Sequence, residues 1–347
     1  MNLIVAGLTT IIAFGLAWAI TRITEASAAS SGLIKAPNER SSHTTPTPRG
    51  GGIAIAVAGV LAAIVMGIAG NLPMLTSLAV LCATIAALGF VDDLRDLPPA
   101  VRFPVQIVVV SLLVWLAWPV TPLALPFGLV LSGAILAVFL VLTGLWWVNL
   151  FNFMDGIDGI AASQAILILL LACLIWLLGD KSAPSAPLFW VMIATAAATA
   201  GFLVRNWPPA NIFMGDVGSN FLALLIFGAV LLTVADGALR YSTWLSLVSI
   251  FFSDATVTLL RRIRHGERPW RAHRRHAYQQ LSRLWGHKPV TTLYGGLTLV
   301  WAGSCAFGAQ FQPTLEWAFV GLCYLPLLVA AVLTGAGAKL EWSGKKA

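Results

Sequence analysis

Residues 127–179 read FGLVLSGAILAVFLVLTGLWWVNLFNFMDGIDGIAASQAILILLLACLIWLLG. Two apolar runs, 127–148 and 160–179, flank one polar stretch, Asn149–Gly159. A run of about 20 apolar residues crosses the hydrocarbon core of a bilayer as a helix. Between Arg102 and Asp180 the chain carries only two charges, Asp155 and Asp158, and both are acidic. The same alternation of long apolar runs and short polar joints extends in both directions.

The 347-residue chain is 59% hydrophobic and 10% charged, with a mean hydropathy of +0.87. Soluble domains carry about 25% charged residues. Apolar runs at roughly 3–21, 51–70, 75–91, 103–119, 127–148, 160–179, 187–204, 217–235, 242–260, 290–309 and 315–336 predict an all-α, polytopic integral membrane protein. Ten or eleven helices would span, the short fourth run being the marginal one, and residues 1–347 would form a single domain. The first run could be a signal peptide, since Ala26–Ala28 resembles a cleavage site. Basic residues follow that run instead of preceding it, so a retained first span is expected.

Lysine and arginine set the orientation. With the N-terminus outside, 19 of the 21 basic residues fall on inner segments, nine of them in residues 261–289. That asymmetry predicts N-out and C-in. The net charge of +7 is then a topology signal and implies no nucleic acid. Cys82, Cys173, Cys305 and Cys323 are scattered through apolar runs and read as small buried hydrophobes.

On this topology four polar constellations share one membrane face. They are GFVDDLRD (89–96), NLFNFMDGIDG (149–159), NWPPANIFMGDVGSN (206–220) and the basic loop 261–288. Spans 2, 6 and 8 begin there and are flanked by glycines, at Gly50–Gly52, Gly156 and Gly159, and Gly215 and Gly218. Such helix N-termini suit phosphate. The plain alternatives are that Asp158 and Asp216 act as N-caps, that Asp254 pairs with Arg261 and Arg262, and that the basic loop only anchors to anionic lipid. Ala277, Leu281, Leu284 and Trp285 share a helical face suited to the interface. Caps do not account for Asn149, Asn152 and Asp155 together. Carboxylates and amide oxygens at a water–membrane boundary suit Mg²⁺ shared with substrate phosphates, and histidines can hold or protonate phosphate oxygens.

Together with APNERSSHTTPTPRGGG (36–52) and HRRHAYQQL (273–281), these motifs resemble the polyprenyl-phosphate N-acetylhexosamine-1-phosphate transferases. The resemblance covers about residues 3–335 and is nearest to the O-antigen-initiating branch, related also to the phospho-MurNAc-pentapeptide translocase. It implies Mg²⁺, replaceable by Mn²⁺, held by Asp216 and Asn152. Phe213 would stack on uracil; Arg49, Asn149, Asp155, Asp158 and Asn206 would form the nucleotide-sugar pocket. Asp92 and Asp93 would hold or deprotonate a lipid phosphate; His276 is the matching histidine of the fifth motif, with His273 beside it. Tyr278 and Gln279 stand where the common-antigen branch has histidines, which leaves their roles open.

The implied partners are a UDP-N-acetylhexosamine, undecaprenyl phosphate and membrane lipid, with a homodimer compatible. The implied location is a bacterial inner membrane with the site facing the cytoplasm. Two other classes fit fewer of the residues. DDLRD matches the DDxxD of prenyl-diphosphate transferases but lacks a comparable second motif. A transporter would place its polar groups near the bilayer midplane.

Overall fold

The computed structural model describes residues 2–27, 34–35, 47–267 and 273–338. Residues 36–46 of the first motif and 268–272 of the basic loop lie outside the described residues.

Proline in the first turn, where its missing N–H costs nothing, starts α3 (Pro73–Arg95), α4 (Pro99–Leu116) and α7 (Pro187–Asn206). The other long helices are α1 (Leu3–Ser27), α2 (Gly52–Ala69), α5 (Gly133–Phe153), α6 (Ile160–Gly179), α8 (Gly215–Ala235) and α9 (Tyr241–Arg264). After the short α10 (Ala277–Trp285), the chain re-enters as α11 (His287–Gly296), a π-helical stretch (Leu297–Ala302) and α12 (Gly303–Phe311). α13 (Glu316–Leu333) is the last helix among the described residues. Among those residues eleven segments are long and apolar enough to span a membrane, with α11 to α12 forming the tenth. The protein is an all-α, multi-pass membrane protein.

The spans surround α8. Its membrane-length window is 89% buried, against 11% for α13 and 17% for α1. α3, α5 and α2 pack on α8, while α1 lies outside against α7 and α2. Such a gradient is the pattern expected when peripheral helices turn apolar side chains to lipid. The four cysteines are buried, as their apolar surroundings implied.

Two boundaries differ from the hydropathy reading in a way that matters. The fifth apolar run was expected from residue 127, but Leu123–Ala124 pairs antiparallel with Val130–Leu131 around a turn at Pro126–Gly128, and α5 starts at Gly133. At its other end α5 continues to Phe153, so Asn149 and Asn152 sit on the last turns of a helix and not on a loop. The helix can continue because both amides find partners within the bundle, Gln106 and Ser219.

Candidate active site

The ends of α3, α4, α5 and α8 meet on one face around four carboxylates. Asp92 and Asp93 occupy the last turn of α3. Asp92 Oδ1 accepts the N–H of Leu97 at 2.7 Å, and Oδ2 accepts from Arg102 Nη1 at 2.6 Å. The same Arg102 nitrogen lies 3.6 Å from Asp216 Oδ2. Asp93 Oδ2 accepts the N–H of Val217 at 3.2 Å, capping the first turn of α8 from a different helix. Asn152 donates to Ser219 Oγ at 2.9 Å and to the Asp216 carboxylate. Asp155 lies at the α5–α6 turn; burial and the charges of Asp216 and Asp93 push its carboxyl well above the usual carboxylate range, opposed by Arg49.

Four carboxylates thus face two guanidinium groups, Arg49 and Arg102. The 149–159 stretch read alone has no basic neighbour, but the fold supplies these two. Sequence reasoning overlooked Arg102. The available signal was a cation in the first turn of α4, where the helix dipole disfavours positive charge unless an anion is near.

A second group of residues builds the wall. Asn206 accepts the N–H of Gly159 at 3.0 Å and donates to Ile212 O at 2.8 Å. Asp158 Oδ2 accepts the N–H of Ala210 at 3.1 Å and lies 3.2 Å from His287 Nδ1, while Thr291 donates to the Asp158 carbonyl. Together they pin the 206–214 segment to α6 and α11. Phe213 bridges the chain on either side of Arg49, its N–H donating to Pro48 O and its carbonyl accepting from Gly51. Asn149 is placed against Gln106 of α4, one turn from Arg102.

At the N-termini of α2, α6 and α8, expected to suit phosphate, several amides are spent within the fold, and two plain alternatives are corrected. The amides of Gly51 and Gly52 donate to Phe213 O and Met214 O, that of Gly159 to Asn206, and that of Val217 to Asp93. Asp158 and Asp216 are not side-chain caps of their own helices. Asp254 does not pair with Arg261 or Arg262. Arg261 donates to Val332 O and Ala336 O, and Arg262 pairs with Glu267 at 3.1 Å.

Glycine serves close approach instead. A Cβ on Gly89 would meet the backbone carbonyl of Asp216, and one on Gly215 (φ +74°) would meet the Asp93 carboxylate. α3 and α8 therefore touch where the acids lie.

α10 closes the site from the far side. The Tyr278 hydroxyl donates to Phe153 O at 2.9 Å. Its ring stacks on His276 (5.5 Å), which stacks in turn on His273 (4.9 Å). Burial, with His276, Arg262 and Arg275 nearby, drives the His273 imidazole down to about 3. His273 is therefore neutral and can offer a phosphate an N–H but not a charge. Tyr278, whose role the motif left open, is a fully buried tie between α10 and the 153–156 turn. Leu284 and Trp285 at the end of α10 are exposed, as an interfacial helix requires, whereas Ala277 is buried against α13.

Among the described residues no three His, Cys, Asp or Glu side chains form a ready-made metal cage. The donor set is instead a carboxylate, an amide oxygen and two more acidic groups than guanidinium groups. That fits a hard divalent cation which completes its shell with substrate oxygens.

An acid cluster at the ends of membrane helices, beside a basic and histidine-bearing segment, defines a membrane-embedded transferase handling phosphates, and the chain belongs to Glycosyl transferase family 4, whose pattern matches residues 75–234. Over 343 residues it is 30% identical to the decaprenyl-phosphate N-acetylglucosaminephosphotransferase of Mycobacterium tuberculosis, covering 88% of this chain and 80% of that one. It is 31% identical to a Bacillus subtilis protein named "Probable undecaprenyl-phosphate N-acetylglucosaminyl 1-phosphate transferase", covering 70% and 68%. A phospho-N-acetylmuramoyl-pentapeptide-transferase of Synechococcus is 32% identical over 54% of this chain and 57% of its own.

Proposed function

We propose that the protein transfers an N-acetylhexosamine-1-phosphate from a UDP-sugar to undecaprenyl phosphate, releasing UMP at the cytoplasmic face of a bacterial inner membrane. The reading is carried by the acid cluster formed by Asp92, Asp93, Asp155 and Asp216, which among the described residues faces two guanidinium groups, Arg49 and Arg102. A bound Mg²⁺, or Mn²⁺ in its place, would supply the missing positive charge across the diphosphate, held by Asp216 and Asn152. Phosphoryl transfer requires mainly positioning and neutralisation of charge, and the remaining residues provide both.

Arg102, 2.6 Å from Asp92, would hold the lipid phosphate beside it. Arg49 and Phe213 would receive the nucleotide, and Asn149, Asp155, Asp158 and Asn206 would shape its pocket. His276 and His273 offer imidazole N–H groups to phosphate oxygens. The attacking group is the lipid phosphate oxygen. A covalent route through Asp92 or Asp93 would first have to break the bonds of Asp92 to Leu97 and Arg102 or that of Asp93 to Val217, which favours direct attack. The names of the relatives support N-acetylglucosamine as the sugar. The resemblance of residues 36–52 and HRRHAYQQL to the O-antigen-initiating branch supports instead a 6-deoxy sugar such as FucNAc or QuiNAc, and with it O-antigen initiation.

The deciding experiment incubates purified protein with undecaprenyl phosphate and a panel of UDP-sugars and scores UMP. One sugar should release UMP in a metal-dependent manner, and Asp216→Asn should lower the rate by about 10²-fold or more. Release of pyrophosphate, or an Asp216→Asn protein with full metal-dependent turnover, would overturn the reading.

A further inference from the structure

Asp254 is the one deeply buried acid that this reaction leaves without a task. It lies in α9 with 3% of its surface exposed, and its carboxylate gathers donors from three elements. Oδ1 accepts the N–H of Ala277 at 2.8 Å and the Thr258 hydroxyl at 3.3 Å. Oδ2 accepts the N–H of Tyr278 at 3.0 Å and the Tyr294 hydroxyl at 2.8 Å. His276 Nδ1 stands 3.4 Å from Oδ1.

The N-cap of α10 is His276, which forms a capping box with Gln279. The amides of Ala277 and Tyr278 still need an acceptor, and Asp254, 23 residues before Ala277, provides it. A carboxylate at a helix N-terminus also meets the favourable end of the helix dipole. The anchor is continuous with the site, because Tyr278, one residue beyond the first bonded amide, stacks on His276 and donates to Phe153 O.

We infer that Asp254 is a positioning residue: it caps α10 from α9 and, with Oδ1 3.4 Å from Nδ1, sets where the ring of His276 stands toward the phosphate-bearing substrates. The inference rests on the assignment of His276 under Proposed function. The geometry resembles the carboxylate partners that orient ligating histidines, whose loss costs about 10–100-fold in activity.

Asp254→Asn replaces an acceptor oxygen with a donor facing other donors. Three readouts apply to the purified protein: amide exchange at Ala277–Gln280, steady-state kinetics, and a double-mutant cycle with His276→Ala. The variant should exchange these amides about tenfold faster or more. Its kcat should fall by about 10–100-fold with KM for the UDP-sugar little changed. In the His276→Ala background the same substitution should cost no further activity.

Unchanged exchange in α10, or losses that multiply in the double variant, would overturn the inference. If His276→Ala alone keeps full turnover while Asp254→Asn loosens α10, the histidine assignment fails and the helix anchor stands. Should Asp254→Asn not fold, Tyr294→Phe removes one donor and leaves both amide bonds. It should then lower kcat by a smaller factor, again only when His276 is present; equal losses with and without His276 would overturn the inference.

Discussion

An acid inside an apolar bundle must gather donors or lose its charge. Asp93, Asp158 and Asp254 gather backbone amides belonging to segments other than their own, those of Val217, Ala210 and Ala277 with Tyr278. Each carboxylate therefore fastens one element to another and is locked in orientation by doing so. Asp216 differs, since its neighbours are acids, Asn152 and a guanidinium at 3.6 Å; under the proposed function it would take a further cation.

His273 yields a prediction at the same scale. Its proton affinity is depressed to about 3 in the folded protein. In the unfolded chain it titrates near 6.5, so below that pH the unfolded state binds more protons and folding is weakened as pH falls toward 3. Between pH 7 and pH 5 the loss should be about 1 kcal/mol, discounting for partial exposure. His273→Gln should remove that part of the acid sensitivity in thermal melts recorded at the two pH values. Identical pH dependence in both proteins would contradict the neutral imidazole.

Between elements, the contact of α3 with α8 determines the spacing of the acids. Gly89 lets the α3 backbone touch the carbonyl of Asp216. A methyl there must push the helices apart. Overpacking of this kind costs about 1–3 kcal/mol, and Gly89→Ala should also weaken the Asp93–Val217 bond and lower the transfer rate. A thermal melt combined with the UMP assay checks both, and wild-type values in each would refute the tight contact. The long α5 has a similar consequence. By carrying Asn149 and Asn152 on helical turns, it offers one amide to α4 and the other to α8 from a rigid support.

At the scale of the whole molecule, the polar groups lie at one end of the bundle and the spans alternate, so sidedness can be tested directly. The native cysteines are buried and give little background. In intact cells a membrane-impermeant maleimide should label Ser182→Cys, in the α6–α7 turn. It should reach Lys288→Cys, at the start of α11, only after the membrane is opened. The reverse pattern would invert the orientation and remove the site from the cytoplasm.

The number of spans, their all-α class and the gathering of acidic motifs on one face were legible in the chain, because bilayer insertion depends on the summed hydropathy of about 20 consecutive residues. The family was legible as well, in motifs that are contiguous in sequence. Partnership was not legible. Asp93 meets Val217 across 124 residues, Tyr278 meets Phe153 across 125, and Asp254 reaches α10 across 23. No local pattern encodes such pairings, since they depend on which helices pack together and where glycine lets them touch. The apolar pattern thus determined that this protein crosses a membrane many times with its acids on one side. Only the packing decided which amide, guanidinium or imidazole each acid holds, because hydrogen bonds reach about 3 Å whereas sequence separation carries no distance.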